Sequence, residues 1–253
     1  MDSKAMFRYC AGCDPDRLPE KVIVTPFLPE RLFTAHCSRV RSFKGRLYSG
    51  AIARKGDVDL AVIRCGMGDR LMGDAVLMMD DTAVRDIVFA GACGGLKDRG
   101  IGDIVLCENA FNGEGFTRYH TPSFDMEGIL EKGDVVPADP GILSQLGDFF
   151  SRKNYPDLNV RAGDVFTIGS LMAEKPGLID AIERKGFTGV ELELSAVYQA
   201  ARAIGRRAAG LLLVSDLPLT RPLWEKAGAA EEAALRKSAK VLARACVEFI
   251  SEM

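Results

Sequence analysis

Short runs rich in valine, isoleucine, leucine and alanine alternate with longer segments of helical periodicity along nearly the whole chain. That alternation is what most restricts the folds open to it. Runs of β type fall at residues 21–25, 45–54, 60–65, 86–90, 103–108, 159–166, 189–192 and 208–214. Helical patterns occupy residues 29–38, 72–82, 141–153, 175–185, 195–204 and 229–252. In the stretch 195–204 the apolar residues Val197, Tyr198, Ala201 and Ile204 recur at the spacing of one helix face. Strands interleaved with helices imply an α/β domain with a largely parallel core sheet, whose ligands gather beyond the carboxyl ends of the strands. No repeat, low-complexity tract or Ser/Pro-rich linker divides the 253 residues, so one domain over 1–253 is expected, with 1–20 as an N-terminal extension.

Charge and apolar run lengths exclude several classes of partner. Thirty-three basic against 35 acidic residues leave a formal charge of −2, which gives nucleic acid no basic surface to bind. The apolar runs are too short to span a bilayer, and the opening MDSKAMFRYC has no apolar signal core. Seven cysteines, at 10, 13, 37, 65, 93, 107 and 246, are odd in number and irregular in spacing. They read as reduced thiols of a cytoplasmic protein. Cys10 and Cys13 form a lone CxxC, and His36 and His120 are the only histidines. The pair is read as part of a flexible lead-in rather than half of a zinc site, and no metal is expected.

Three stretches at strand ends are rich in glycine: Cys65-Gly66-Met67-Gly68, Ala90-Gly91-Ala92-Cys93-Gly94-Gly95 and Asn112-Gly113-Glu114-Gly115. None matches a dinucleotide fingerprint or a P-loop, and each alone reads as a tight turn. The apolar run Leu211 to Val214 ends on Ser215 and Asp216. Asp216 there either caps a turn before Pro218 or faces a crevice, where burial would raise its pKa. In "GVELELSAVYQAA", Glu191 and Glu193 stand one residue apart ahead of an amphipathic helix. A helix start explains acidic residues cheaply. A ligand explains them better if other polar groups converge there, because a carboxylate's two acceptor oxygens match the vicinal diol of a ribose. Its charge would also favour a ribosyl transition state of oxocarbenium character. Asp216 could then protonate a departing purine, while the second glutamate orients the first.

With these residues the chain resembles the nucleoside phosphorylase superfamily, which includes purine nucleoside phosphorylases, uridine phosphorylases and nucleosidases. The resemblance runs from about Val22 to the C-terminus. It is carried by "CGMG" at 65–68, "AGACGGL" at 90–96, "GDIVL" at 102–106, "GEGFTRYH" at 113–120, "GVELE" at 189–193 and "LLVSD" at 212–216, in that order. It implies a three-layer α/β domain with a central mixed sheet flanked by helices. Glu193 inherits contact with the ribose diol, with Glu191, Leu192 and Met67 beside the sugar. Asp216 inherits the acid at purine N7, and Cys93, Gly94, Leu171 and Ser215 surround the base. The resemblance further implies no cofactor, a small-molecule nucleoside substrate with or without phosphate, and a homo-oligomer, either a dimer or a hexamer built from dimers.

The departures from the family pattern concern phosphate. Phosphorylases of the family hold it with a glycine-containing turn after the first strand, an arginine before the glycine loop and a hydroxyl within that loop. Here those places read Pro26-Phe27-Leu28-Pro29-Glu30-Arg31, Phe89 and Ala92. Arg31 and Arg70 remain as candidate phosphate ligands, whereas Glu30 falls near the glutamate that hydrolytic members use as a base. The expected activity is therefore N-glycosidic cleavage of a purine-type nucleoside or related ribosyl compound, with water narrowly preferred to phosphate. A phosphate-dependent purine or uridine phosphorylase, or a nucleoside-binding protein of little turnover, is the alternative.

Overall fold

The computed structural model describes residues 2–113, 115, 125–153, 155–225 and 227–253. Its strands are β1 (Lys21–Thr25), β2 (Ser38–Lys44), β3 (Ser49–Lys55), β4 (Val58–Arg64), β5 (Asp86–Gly95), β6 (Ile104–Gly113), β7 (Val135–Pro137), β8 (Val160–Ile168), β9 (Gly189–Glu191) and β10 (Arg207–Asp216). The helices are α1 (Ser3–Ala11), α2 (Glu30–Thr34), α3 (Asp69–Leu77), α4 (Met126–Lys132), α5 (Pro140–Arg152), α6 (Pro176–Arg184), α7 (Leu194–Ala203) and α8 (Ala229–Glu252).

Val22, Ile23 and Val24 are apolar on both strand faces, a pattern that suits only a strand covered on both sides. They are fully buried, and β1 lies between β4 and β5, parallel to both. From β4 the sheet continues through antiparallel β3 to β2 at its edge. On the other side five strands return on themselves. β5 pairs with β9, β9 with β8, β8 with β6, β6 with β10, and β10 again with β5. The short β7 adds to β6. Parallel and antiparallel pairs coexist, as the mixed sheet requires. Helix α3 lies against α7, with Gly73 leaving a 3.6 Å approach to Ala196 for a would-be Cβ. Helix α8 packs on α2 and on β3, β4, β5 and β10, so the chain's last helix reaches the centre of the sheet.

Strand β5 runs well beyond its apolar run. The glycines from 91 to 95 were expected to turn, yet β5 continues to Gly95 because β10 pairs alongside it as far as Asp216 opposite Gly94. A Cβ on Gly94 would stand 2.4 Å from Pro218 Cγ and 3.2 Å from Val190 Cγ1. Glycine here permits close approach of neighbouring segments rather than a reversal. The helix expected over 29–38 stops at Thr34, and Ser38 opens the edge strand β2. That strand's sequence, Ser-Arg-Val-Arg-Ser-Phe-Lys, is charged and exposed, as edges commonly are, and so gave no apolar signal. Helix α4 and strand β7 were likewise not foreseen.

The N-terminal segment is not a flexible lead-in. Asp2 caps α1 by accepting a 2.9 Å hydrogen bond from the Ala5 amide, and Gly12 closes the helix at φ 65°. Phe7, Cys10 and Ala11 are buried in the main core. Cys10 and Cys13 are both free and buried, and among the described residues no His/Cys/Asp/Glu group could hold a metal. Among the described residues, no helix is long and apolar enough to cross a membrane.

Candidate active site

Glu191 ends β9 directly opposite Thr167 of β8. One carboxylate oxygen accepts the Thr167 hydroxyl, and the other accepts the amides of Glu193 and Leu194 at 2.7 Å each. The Thr167 oxygen in turn accepts the Ser195 amide at 3.1 Å. Glu191 thus satisfies donors that the first turn of α7 would otherwise leave unpaired. It fixes the strand-to-helix turn that carries Glu193. Replacing Glu191 by alanine would strand three buried donors, each costing roughly 1–3 kcal/mol. We expect Glu191→Ala to lose about 3 kcal/mol or more in chemical denaturation. A loss below about 1 kcal/mol would show that the turn does not depend on this carboxylate.

Glu193 sits at the start of α7 with its side chain buried, accepting the Gly68 amide at 2.7 Å. Gly68 adopts φ 104°, a region that side chains disfavour, and this conformation precedes α3. Burial raises the Glu193 pKa, opposed by the amides of Gly68 and Leu192. Burial also raises that of Glu191, helped by the neighbouring Glu193 charge. The two carboxylates of the "ELE" motif therefore divide their work: Glu191 is saturated by the fold, while Glu193 keeps acceptor capacity.

Asp216 is the last residue of β10, where a register shift against β5 between Val214 and Asp216 bulges the strand. Bulges re-aim side chains at strand ends. The Ser215 hydroxyl lies 2.8 Å from Asp216 Oδ1 and 3.2 Å from the Cys93 carbonyl oxygen. Burial raises the Asp216 pKa, with Ser215 and the Leu223 amide pulling the other way. The carboxyl thus both lines a cavity at a strand end and accepts the Leu223 amide of the loop that follows.

Glu193 and Asp216 open onto one cavity of about 460 Å³. Its wall includes Met67, Cys93, Gly94, Leu171, Glu191, Leu192, Glu193, Ser215 and Asp216, so every sugar-side and base-side residue expected from the sequence is brought together. Phe27 and Ala92 stand in the wall as well, whereas Phe89 is fully buried in the core. Three residues expected at the nucleophile end do not reach the wall. Glu30 accepts the Ser49 hydroxyl and lies 3.5 Å from Arg64 Nε. Arg31 is exposed on α2, and Arg70 lines a separate depression with Asp69, Asn112 and Lys132. Both follow from geometry: the first turns of α2 and α3 direct these side chains outward. Of the motif at 113–120, Glu114 and residues 116–120 lie outside the described residues.

The far wall carries no signal in the sequence. Leu235, Arg236 and Ala239 come from α8, and Leu223 from the loop before it. Glu174, just past β8 and a short turn over Leu171–Ala173, is a fourth carboxyl in the wall. Burial, with the Asp216 charge beside it, pushes its pKa up to about 7. Among the described residues Arg236 is the sole cation of the wall, and Glu232 binds it at 3.0 Å. The cavity is otherwise apolar and acidic.

The family model of the phosphorylase superfamily matches residues 22–251. Among curated relatives, the DeoD-type purine nucleoside phosphorylase of Xenorhabdus nematophila is 26% identical over 140 residues, 55% of this chain and 54% of that one. The DeoD-type enzyme of Proteus mirabilis is 27% identical over 140 residues, again 55% and 54%. The matched segment spans about half the length of these relatives. Among solved structures, uridine phosphorylase from Vibrio fischeri ES114 superposes with a TM-score of 0.76 at 18% identity, covering 94% of both chains. The 5′-methylthioadenosine/S-adenosylhomocysteine nucleosidase of Campylobacter jejuni gives 0.73 at 15% identity, covering 92% of this chain and 100% of that one. At these identities the superpositions establish a shared fold.

Proposed function

The chain belongs to the phosphorylase superfamily, and from that premise we propose that it cleaves the N-glycosidic bond of a purine-type nucleoside or related ribosyl compound. The observation that carries this reading is the pairing, in one cavity, of Glu193, which keeps free acceptor capacity, and Asp216, a buried strand-end carboxyl whose pKa burial raises. Glu193 binds the ribose diol and offers negative charge to the developing oxocarbenium ion. Asp216 protonates the ring nitrogen of the departing base, so that the base leaves neutral. Leu192 and Met67 pack beside the sugar, and Cys93, Gly94, Leu171 and Ser215 enclose the base. The cavity volume falls in the usual range of small-molecule sites, roughly 300–1,000 Å³.

Water is the nucleophile in this proposal: it adds to the anomeric carbon as the bond to the base breaks, and its proton passes to solvent while the base keeps the one given by Asp216. A phosphate dianion needs cations or convergent amides, and Phe27 and Ala92 occupy the wall where those contacts would be. Arg236, the one cation there among the described residues, is exposed and already paired with Glu232. A panel of nucleosides assayed with and without phosphate, with products separated by chromatography, tests the reading. The expected products are free base and free ribose in phosphate-free buffer, with little acceleration by phosphate. Ribose 1-phosphate as the main product would overturn the choice of water, and absence of base release from every purine nucleoside would overturn the activity. Because Glu30 is held by Ser49 and Arg64 away from the wall, Glu30→Gln should slow hydrolysis far less than the ~10²-fold typical of a lost general base.

A further inference from the structure

Glu174 has no task in the fold. Its backbone is anchored, the amide donating to the Leu171 carbonyl at 3.2 Å, but among the described residues its carboxyl has neither hydrogen bond nor ion pair. This differs from the other acids of the wall. Glu191 is saturated, Glu193 accepts Gly68, and Asp216 meets Ser215. A largely desolvated carboxyl without a partner is costly to keep unless something else supplies the donor. Glu174 lies at the Asp216 end of the cavity, close enough for the Asp216 charge to act on it.

We propose that Glu174 is a specificity-determining residue, accepting a hydrogen bond from an exocyclic amino group on the leaving base, beside the ring nitrogen that Asp216 faces. This rests on the reading of the cavity as a purine site. The edge of a 6-aminopurine presents the N7 acceptor next to an amino donor, whereas that of a 6-oxopurine presents two acceptors. An ionised Glu174 offers an acceptor to that amino donor, which complements the first edge, while Asp216 shares the proton at the ring nitrogen. Against the second, the Glu174 carboxylate would face the lone pairs of an oxygen. Unlike the carboxylate, a glutamine at this position can also donate, and so can meet either base.

Titration calorimetry with the free bases adenine and hypoxanthine, on the full chain and on Glu174→Gln, tests this above the midpoint of Glu174. The wild type should bind adenine more tightly by at least about tenfold, as expected for one charge-assisted hydrogen bond. In Glu174→Gln that ratio should fall by about the same factor, with thermal stability unchanged or slightly raised, because no native partner is lost and a buried charge is removed. A ratio within about twofold of wild type overturns the assignment, as does a fall in stability with the ratio kept. Failure of the wild type to bind either base overturns the purine reading along with it, which separates the two failures.

Discussion

Asp216→Asn should bind nucleoside with near-normal affinity and cleave it slower by on the order of 10²–10⁴, the usual loss when a general acid is removed. The asparagine keeps the size of the side chain and can still take the Leu223 amide and sit beside Ser215, so the bulged end of β10 should hold. What it cannot do is give a proton to the departing base. The pH profile supplies a second signature. Burial raises the Asp216 pKa, so the protonated form persists above the ordinary range and is lost as pH rises through the raised value. Wild-type cleavage should therefore decline on that alkaline limb. Glu174 and Glu193 also titrate upward of their ordinary values, so only the part of the limb that disappears in Asp216→Asn belongs to Asp216. Steady-state kinetics on a purine nucleoside settle the matter: an unchanged turnover number would remove Asp216 from the chemistry.

The residues proposed for the sugar and the base were legible as cavity candidates because they sit at or just after strand ends. Glu193 follows β9, Asp216 ends β10, and Cys93 and Gly94 are near the end of β5. The α/β pattern alone directs attention to those places, and the resemblance gave them roles. What stayed hidden depends on contacts between distant segments. Leu235 and Ala239 read as ordinary helix positions until α8 is laid across the sheet. The glycines of β5 carry turn propensity, but pairing with β10 overrides it, as tertiary context does for strands generally. Helix α1 was concealed by a mixed polar opening whose buried face is only Phe7, Cys10 and Ala11. Glu30 illustrates the converse. Its place after β1 fits a base, yet the direction of a side chain in the first turn of α2 cannot be read from sequence distance, and it points to Ser49 and Arg64.

Glu193→Gln separates site from scaffold most sharply. The amide oxygen of glutamine can still accept the Gly68 N–H, and the turn itself is held by Glu191, which the substitution leaves intact. Stability should change little, and its pH dependence has a definite sign. The folded-state pKa of Glu193 is raised, so its contribution to stability is fully present below the ordinary glutamate value and is lost as pH rises through the raised one. The variant lacks that loss, so in mildly alkaline buffer it should unfold at the same temperature as wild type or slightly above it. Function should move the other way. A ribose diol loses a charge-assisted hydrogen bond worth roughly 1.5–3 kcal/mol, or about tenfold to a hundredfold in affinity. Turnover falls further, because the carboxylate charge matters most when positive charge develops on the sugar; removing one such preorganised group typically costs ~10²–10³ in rate. The combination to look for is thus a preserved unfolding midpoint with both ribosyl affinity and turnover reduced. A variant that unfolds early while retaining wild-type turnover would make Glu193 a structural cap of α7 and move the ribose contact elsewhere in the cavity.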